Sequence, residues 1–334
     1  MKSLLFTLLM AAAQAMAQPL DEVLSRWDRD EHLDLRSVLV MRDGAIVAER
    51  YYNGETADTL HDIRSAGKSI TALLAGAAVD RGKLSADGRI DRYWPAAKGT
   101  ALEGVTLDQV LTMRSGLAAF DEDPASPGNE DKMDDAADPV AFTLATPADT
   151  APGTRYRYNS MTAYIAGVTV EQATGIDLET FARSTLFEPL GIQRWQWLRD
   201  TAHHPKGQGN LFLRTRDLAK IGQVVLDNGM YQGRRILSAE WIQAALAPRV
   251  AISDVDRYAD HYGYFWYRKT ERVGGREIVV NFASGNGGNK IYVIPSLKSV
   301  VIVTSSAYGK GYGQRRSANI LQAILDSYNA VALQ

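Results

Sequence analysis

The strongest chemical pattern in the sequence is a serine and a lysine three positions apart. Ser65 and Lys68 stand in the run RSAGKSITALL, residues 64–74, where a helical pattern begins. Side chains three apart on the first turn of a helix lie on one face. A serine hydroxyl needs a base to become a good nucleophile, and a lysine whose ammonium form is disfavoured by burial can be that base. The spacing therefore predicts that Lys68 activates Ser65 for attack on a carbonyl.

Competing interpretations of single motifs find less support. The run AGKS at 66–69 resembles the end of a nucleotide-binding loop, but that loop needs a glycine where Asp62 stands, and a carboxylate there would repel phosphate. His203 and His204 are adjacent, so they point in different directions, and no carboxylate spacing completes a metal site. The sequence has no Gly-x-Ser-x-Gly motif of the kind used by α/β-hydrolases. We predict chemistry that needs neither a metal nor an organic cofactor.

A second element, PGTRYRYNS at 152–160, precedes another helical run. Together with residues 65–68, it resembles the serine β-lactamase and penicillin-binding-protein superfamily. The likeness is greater to the class C-like branch, which includes family VIII carboxylesterases and 6-aminohexanoate-dimer hydrolase. Further matching stretches occur in the same order along about residues 37–325: LTMRSGL at 111–117, DLAKIG at 217–222 and GNGGN at 285–289.

The resemblance implies roles for the second element. Tyr158, as phenol or phenolate, would relay a proton between Ser65 and the leaving group and work with Lys68 as an acid–base pair. Ser160 would stand where many relatives carry asparagine. A role for Tyr158 as an ordinary core tyrosine stays open at this stage.

For the glycine-rich stretch, the resemblance implies an oxyanion hole. The backbone N–H of Ser65, with one from Asn286 or Gly287, would stabilise the tetrahedral intermediate, and glycine allows a substrate carbonyl to approach the backbone. An ordinary turn is the alternative. The sequence departs from the β-lactamases just before, because VNFASG at 280–285 lacks the lysine or histidine that holds a substrate carboxylate.

We therefore predict a serine hydrolase that cleaves an ester or amide through a Ser65 acyl-enzyme. A β-lactamase and a D-alanyl peptidase are alternatives, although both would be expected to carry the missing cation. A penicillin sensor that stays acylated without turnover is an alternative from another functional class.

The elements that position these residues form two kinds of segment. Strand-like runs lie near both chain ends, at 37–41 and 45–52 around the turn Asp43-Gly44, and at 262–267, 277–282, 290–294 and 300–304. Helical periodicity marks 69–80, 107–113, 161–173, 215–226 and 315–328. We predict a mixed α/β fold with an antiparallel sheet from both chain ends flanked by helices, and a large inserted helical lobe.

The predicted α/β lobe covers about residues 18–62 and 250–334, and the helical lobe about 63–249. A cleft between two lobes is a favoured place for a ligand. The acidic segment 121–138 is interpreted either as a loop or lid over that cleft or as a solvated surface loop.

The composition limits location and partners. Residues 1–17 combine Lys2, a short apolar run and Ala15-Met16-Ala17, the pattern of a cleaved signal peptide, and the run is shorter than the roughly 20 residues that span a bilayer. We expect an exported protein, periplasmic or secreted, with no stable membrane anchor; a retained anchor is the alternative. The chain has no cysteine and a net charge of −2, so we expect no nucleic acid as partner and a small or peptide-like molecule instead. The resemblance implies that this molecule is an ester or amide.

Overall fold

A computed structural model describes residues 20–332. The predicted signal peptide, residues 1–17, lies outside them. In chain order the strands are β1 (Leu35–Arg42), β2 (Ala45–Tyr51), β3 (His61–Asp62), β4 (Gln196–Trp197), β5 (Leu211–Leu213), β6 (Met230–Tyr231), β7 (Arg234–Arg235), β8 (Val250–Ala251), β9 (His261–Tyr262), β10 (Tyr267–Val273), β11 (Arg276–Gly285), β12 (Asn289–Ile294) and β13 (Ser299–Ser305).

One eight-stranded sheet joins both ends of the chain. Its order is β2-β1-β13-β12-β11-β10-β9-β8, and its paired strands are antiparallel. The turn between β1 and β2 has φ values of 48° at Asp43 and 78° at Gly44, the left-handed conformation that the Asp-Gly pair predicted. Every residue of β12 and β13 is buried, because helices cover both faces of the sheet. The predicted fold class is confirmed.

The helices of the described residues come mostly from the middle of the chain. They are α1 (20–25), α2 (Ala66–Asp80), α3 (Ile90–Tyr93), α4 (Leu107–Leu111), α5 (Glu130–Asp134), α6 (Pro139–Ala145), α7 (Ser160–Thr174), α8 (Leu178–Ala182), α9 (Thr215–Leu226), α10 (Ala239–Leu246) and α11 (Gly311–Ala332). Short 3₁₀ turns cover Pro95–Ala97, Glu188–Leu190 and Pro295–Leu297, and a π turn covers Arg183–Phe187. None of the helices within residues 20–332 has the length and apolar character needed to cross a bilayer.

Helices α2 and α9 lie against one face of the sheet, and α11 lies against the other. Glycine at position 222 lets α9 approach closely, since a Cβ there would lie 2.5 Å from Cγ1 of Val300. On the opposite face, Ser317 of α11 donates to the carbonyl of Gly288 at 2.6 Å. Helix α2 is buried from Ala66 to Ala78, because α7 and α10 cover the sides that the sheet leaves open. A helix enclosed on all sides has no polar stripe.

The predicted strand at 262–267 is wrong. The chain forms the two-residue strand β9, turns through Phe265 at φ 55° and begins β10 only at Tyr267. The intervening aromatic side chains are buried in the core although their backbone leaves the sheet, so an apolar run here marks burial without strand pairing.

Candidate active site

Ser65 lies where β3 leads into α2. Arg64 before it has φ 51°, a left-handed conformation that costs energy for a residue with a side chain. Two contacts hold Arg64 in place, because its N–H donates to Oδ1 of Asp62 at 2.9 Å and its guanidinium stacks 4.1 Å from the Tyr308 ring centroid. Ser65 is the N-cap residue of α2, and its side chain makes no capping bond. Its hydroxyl is therefore left free for other partners.

Lys68 lies one helical turn beyond Ser65 and reaches back to it. Its ammonium donates to Oγ of Ser65 at 3.0 Å, to Oγ of Ser160 at 3.0 Å and to the carbonyl of Gln208 at 2.9 Å. An ammonium has three N–H donors, so this geometry satisfies each of them. The side chain is only 1% exposed, and the three contacts hold it in one position.

The protonation of Lys68 differs from the expectation. Burial alone lowers the pKa of Lys68, as predicted, but nearby negative charge outweighs it. The electrostatic interaction with Tyr158 is the largest of the opposing contributions, and Glu130 and Asp121 follow. The pKa of Lys68 is therefore raised above its ordinary value, and Lys68 is an ammonium in the resting site.

The carbonyl that binds Lys68 belongs to a segment that the sequence did not single out. Gly207 and Gly209 flank Gln208, and the segment passes between α2 and α7. A Cβ on Gly207 would lie 3.1 Å from Cα of Gly167 in α7, and a Cβ on Gly67 in α2 would lie 3.2 Å from Cα of Gly209. Small residues on both sides let the backbone come this close. The Gly-Gln-Gly triplet at 207–209 was the sequence feature that could have indicated this close packing.

Tyr158 and Ser160 enter from the start of α7. Asn159 is the N-cap of this helix, and its side-chain oxygen accepts from the N–H of Thr162 at 2.7 Å. This cap points Ser160 at Lys68, while the ring centroid of Tyr158 lies 5.1 Å from Lys68 Nζ. Ser65, Lys68, Tyr158 and Ser160 therefore meet in one place, although α2 and α7 are about ninety residues apart in the chain.

The acidic segment 121–138 also reaches the site. Asp121 Oδ2 accepts from the N–H of Ser160 at 2.7 Å, and Asp121 Oδ1 is buried without a hydrogen-bond partner. Burial raises the pKa of Asp121 to about 6, with Glu130 adding to the effect and Lys68 opposing it. Asn129 holds the segment in shape by donating to the carbonyl of Asp121 at 3.0 Å. A purely solvated loop does not describe this segment, because its first residue lies against the start of α7.

The β11–β12 hairpin lies directly against the nucleophile segment. A Cβ on Gly285 would lie 2.0 Å from the carbonyl oxygen of Ile63 and 3.2 Å from the N atom of Ala66. The side chain of Asn286 already has a partner, since its Oδ1 accepts from the N–H of Gly309, between β13 and α11, at 2.8 Å. Gly287, with φ 85°, lies close to Ala307 and Tyr308. The hairpin thus brings backbone, not side-chain, groups next to Ser65.

Other sequence candidates lie elsewhere. Nδ1 of His204 lies 2.5 Å from Oε2 of Glu171, and this pair raises the pKa of His204. Within residues 20–332 no cluster of three histidine, aspartate or glutamate side chains could hold a metal ion. Trp197 and Tyr264 are core residues with bonded polar atoms.

The family model described as Beta-lactamase matches residues 30–325. The 6-aminohexanoate-dimer hydrolase of Paenarthrobacter ureafaciens is 25% identical over 283 residues, which are 80% of this chain and 71% of that protein. Esterase EstB of Burkholderia gladioli is 28% identical over 202 residues, which are 54% of this chain and 51% of the esterase. The chain thus aligns with about half of the esterase.

Solved structures support the fold. A family VIII carboxylesterase superposes with a TM-score of 0.71 at 16% identity, covering 92% of this chain and 97% of that one. A penicillin-binding protein homolog from Caulobacter crescentus gives 0.69 at 18% identity, covering 93% and 97%. At these identities the likeness is one of fold. The family match over most of the chain, with relatives named as hydrolases, means that this chain belongs to the Beta-lactamase family and is a serine hydrolase.

Proposed function

We propose that the protein cleaves an ester or amide through an acyl-enzyme on Ser65. The contact that carries the proposal is the 3.0 Å hydrogen bond between Lys68 and Ser65, in which the lysine is fixed by two further acceptors. A nucleophile bonded to a buried ionisable group, itself held by other partners, is the arrangement that covalent catalysis requires.

The resting ammonium limits how the base can work. The pKa of Lys68 is raised above its ordinary value, so Lys68 can accept a proton from Ser65 only after it has lost one of its own. The rate constant kcat/KM should therefore rise with pH along an ascending limb that reports Lys68.

The reaction then proceeds in two steps. The Ser65 oxygen bonds to the substrate carbonyl carbon while its proton passes to the Lys68–Tyr158 pair. Collapse of the tetrahedral intermediate breaks the bond to the leaving group, which takes that proton from Tyr158. Water next attacks the acyl carbon and gives a proton to the pair, and the acid departs as Ser65 regains its proton. The backbone N–H groups of Ser65 and of Asn286 or Gly287 would bind the oxyanion.

The end of β11 supports the proposed substrate class. Side chains alternate between the two faces of a strand, so Ala283 shares with Gly285 the face that lies against α2. The stretch 280–285 thus lacks the cation that the resemblance to β-lactamases leads us to expect. Ester and amide substrates without a carboxylate at that point fit the site better than β-lactams do.

The test compares turnover of p-nitrophenyl acetate, a linear p-nitroanilide and a chromogenic cephalosporin by the wild type and Ser65→Ala. We expect Ser65→Ala to lose on the order of 10⁶-fold in kcat on the ester or amide. Ser69→Ala is the matched control, because this hydroxyl lies on the same helix and bonds to the carbonyl of Phe265. Retained activity in Ser65→Ala refutes the proposal, a burst without turnover indicates a sensor, and rapid cephalosporin hydrolysis overturns the substrate class.

The base is tested by Lys68→Met and Tyr158→Phe. Each should lower kcat/KM by about 10² to 10⁴-fold, and Lys68→Met should also abolish the ascending limb of the pH profile. Tyr156→Phe is the control for the tyrosine, since Tyr156 lies two residues earlier and stacks edge-on with Tyr262 at 5.3 Å. Equal losses in both tyrosine variants would assign Tyr158 a packing role.

We also propose that the protein is exported to the periplasm or beyond. The support is the signal-peptide pattern of residues 1–17. Mass spectrometry of the protein from its native host should find an N-terminus at Gln18, and an intact Met1 would contradict the proposal.

A further inference from the structure

A cavity lies on the face of the sheet opposite to Ser65. It has a volume of about 220 Å³ and lies between strands β10 to β12 and helix α11. Apolar and aromatic side chains form much of its wall: Val280, Phe282, Tyr292, Ala318 and Leu321. Cavities with apolar walls and a few polar groups are typical of small-molecule sites.

Lys290 supplies the polar group inside the cavity. Its side chain is buried, at 4% exposure, and Nζ donates to Oγ of Ser284 at 2.7 Å. Nζ also lies 4.8 Å from the ring centroid of Phe282. No carboxylate of residues 20–332 forms an ion pair with it. An ammonium has three N–H donors, and a serine hydroxyl occupies one, so the others are free for a ligand.

Burial without a counter-ion has an electrostatic consequence. Burial lowers the pKa of Lys290 to about 7, although the more distant Asp256 opposes the shift. An anion that contacts Nζ would restore the favourable charged form. Binding of such a ligand near pH 7 therefore takes up a proton.

The other charged groups of the lining favour an anion. Arg257 and Lys269 are cationic, and Glu271 is the acidic group among the lining residues. Lys269 is already paired with Asp260 at 2.9 Å. Burial raises the pKa of Glu271.

Gln314 contributes a neutral polar group to the lining. It donates through Nε2 to the carbonyl of Gly285 at 2.8 Å, while its Oε1 is buried without a hydrogen-bond partner. Because Oε1 is an acceptor, a carboxylate cannot satisfy it, and we assign the head of the ligand to Lys290 alone. Lys290 lies apart from the hydrolytic site, because Ser284, which it contacts, and Gly285, which lies against the segment around Ser65, face opposite sides of β11.

We propose that this cavity binds a small monocarboxylate with an apolar tail, its carboxylate on Lys290 and its tail between Phe282, Tyr292 and Leu321. The apolar wall selects against a hydrated inorganic anion. The volume suits a benzoate-sized molecule.

The experiment titrates benzoate into Ser65→Ala protein by calorimetry at pH 6.5 and pH 8.5. Benzoate stays ionised over this range, so the change in affinity reports Lys290. With a pKa near 7 in the free protein, the dissociation constant should be about 25-fold lower at pH 6.5, with proton uptake visible as a buffer-dependent heat. Benzamide, which lacks the charge, should bind at least tenfold more weakly than benzoate at pH 6.5.

Three variants localise the binding. Lys290→Met keeps the length of the side chain and should weaken benzoate binding at least tenfold at pH 6.5. Lys269→Met is the matched control, and because that lysine is already paired it should change affinity less than threefold. Ala318→Phe fills the cavity with Lys290 intact and should also abolish binding. Wild-type affinity in Lys290→Met, equal affinity for benzamide, or no binding by the wild type would each overturn the proposal.

Discussion

Replacement of Gly285 by alanine tests whether the β11–β12 hairpin must lie against the nucleophile. The added Cβ would lie 2.0 Å from the carbonyl oxygen of Ile63. Non-bonded heavy atoms prefer a separation of about 3.5 Å, so the hairpin and the segment before Ser65 must separate by roughly 1 to 1.5 Å. The atom on the other side is backbone, which cannot rotate away. The proposed oxyanion donors of the hairpin and of Ser65 would then no longer converge on one point.

A displacement of about 1 Å in a catalytic group can cost about 10²-fold in rate. We therefore expect Gly285→Ala to lower kcat/KM on p-nitrophenyl acetate about 100-fold, with an overpacking cost of about 1 to 3 kcal/mol in unfolding free energy. Gly311→Ala is the control, since a Cβ there has no heavy atom within 4 Å. Urea unfolding and ester hydrolysis are measured on the same preparations. A folded Gly285→Ala protein with kcat/KM within threefold of the wild type would refute the reasoning.

Three further predictions concern stability. The pKa of Asp121 is raised from 3.8 to about 6, so its contribution to stability is favourable below pH 3.8 and is lost as the pH rises through 6. In Asp121→Asn the side-chain oxygen can still accept from Ser160. This variant should be more stable than the wild type in urea unfolding by about 2 to 3 kcal/mol at pH 7.5, and by much less at pH 4. The pKa of Lys290 is lowered from 10.5 to about 7, so the folded protein loses stability as the pH falls from 10.5 to 7. Lys290→Met should therefore have a higher melting temperature than the wild type, by a larger margin at pH 7 than at pH 9.5. A margin that does not change with pH would contradict the lowered pKa of Lys290. Gly67→Ala places a Cβ 3.2 Å from Cα of Gly209. Because that neighbour is backbone, we expect the overpacking to outweigh the roughly 1 kcal/mol by which alanine is favoured over glycine in a helix, so thermal unfolding should show a net loss of stability. A protein as stable as the wild type, or more stable, would mean that the segment moves aside.

Local features of the chain were predictable from the sequence. The spacing of Ser65 and Lys68 placed them on one helix face because helical geometry is set within one turn. The start of α7 could be anticipated from the Tyr-Asn-Ser run, since asparagine is a preferred N-cap residue. The turn at Asp43-Gly44 needed positive φ, and that requirement acts through these two residues alone.

The wrong prediction of a strand at 262–267 also has a physical cause. Apolar and aromatic composition reports burial, and burial does not require strand pairing. The hydroxyl of Tyr264 bonds to Oδ1 of Asp108 at 2.8 Å, a partner more than 150 residues away. That contact and the turn at Phe265 replace the sheet ladder.

The sequence by itself therefore determined the type of nucleophile, its lysine neighbour and the elements that carry them. Only the tertiary structure decided the charge of Lys68, because that charge depends on burial and on Tyr158, Glu130 and Asp121, which come from separate parts of the chain. It also decided that Gln208 binds Lys68 through a backbone carbonyl, a group that every residue carries and that only its position makes specific. Buried Lys290 follows the same rule, since a lysine in a strand pattern says nothing about its counter-ion. Electrostatic energies depend on the distance between charges and on their solvation, and the local sequence determines neither quantity.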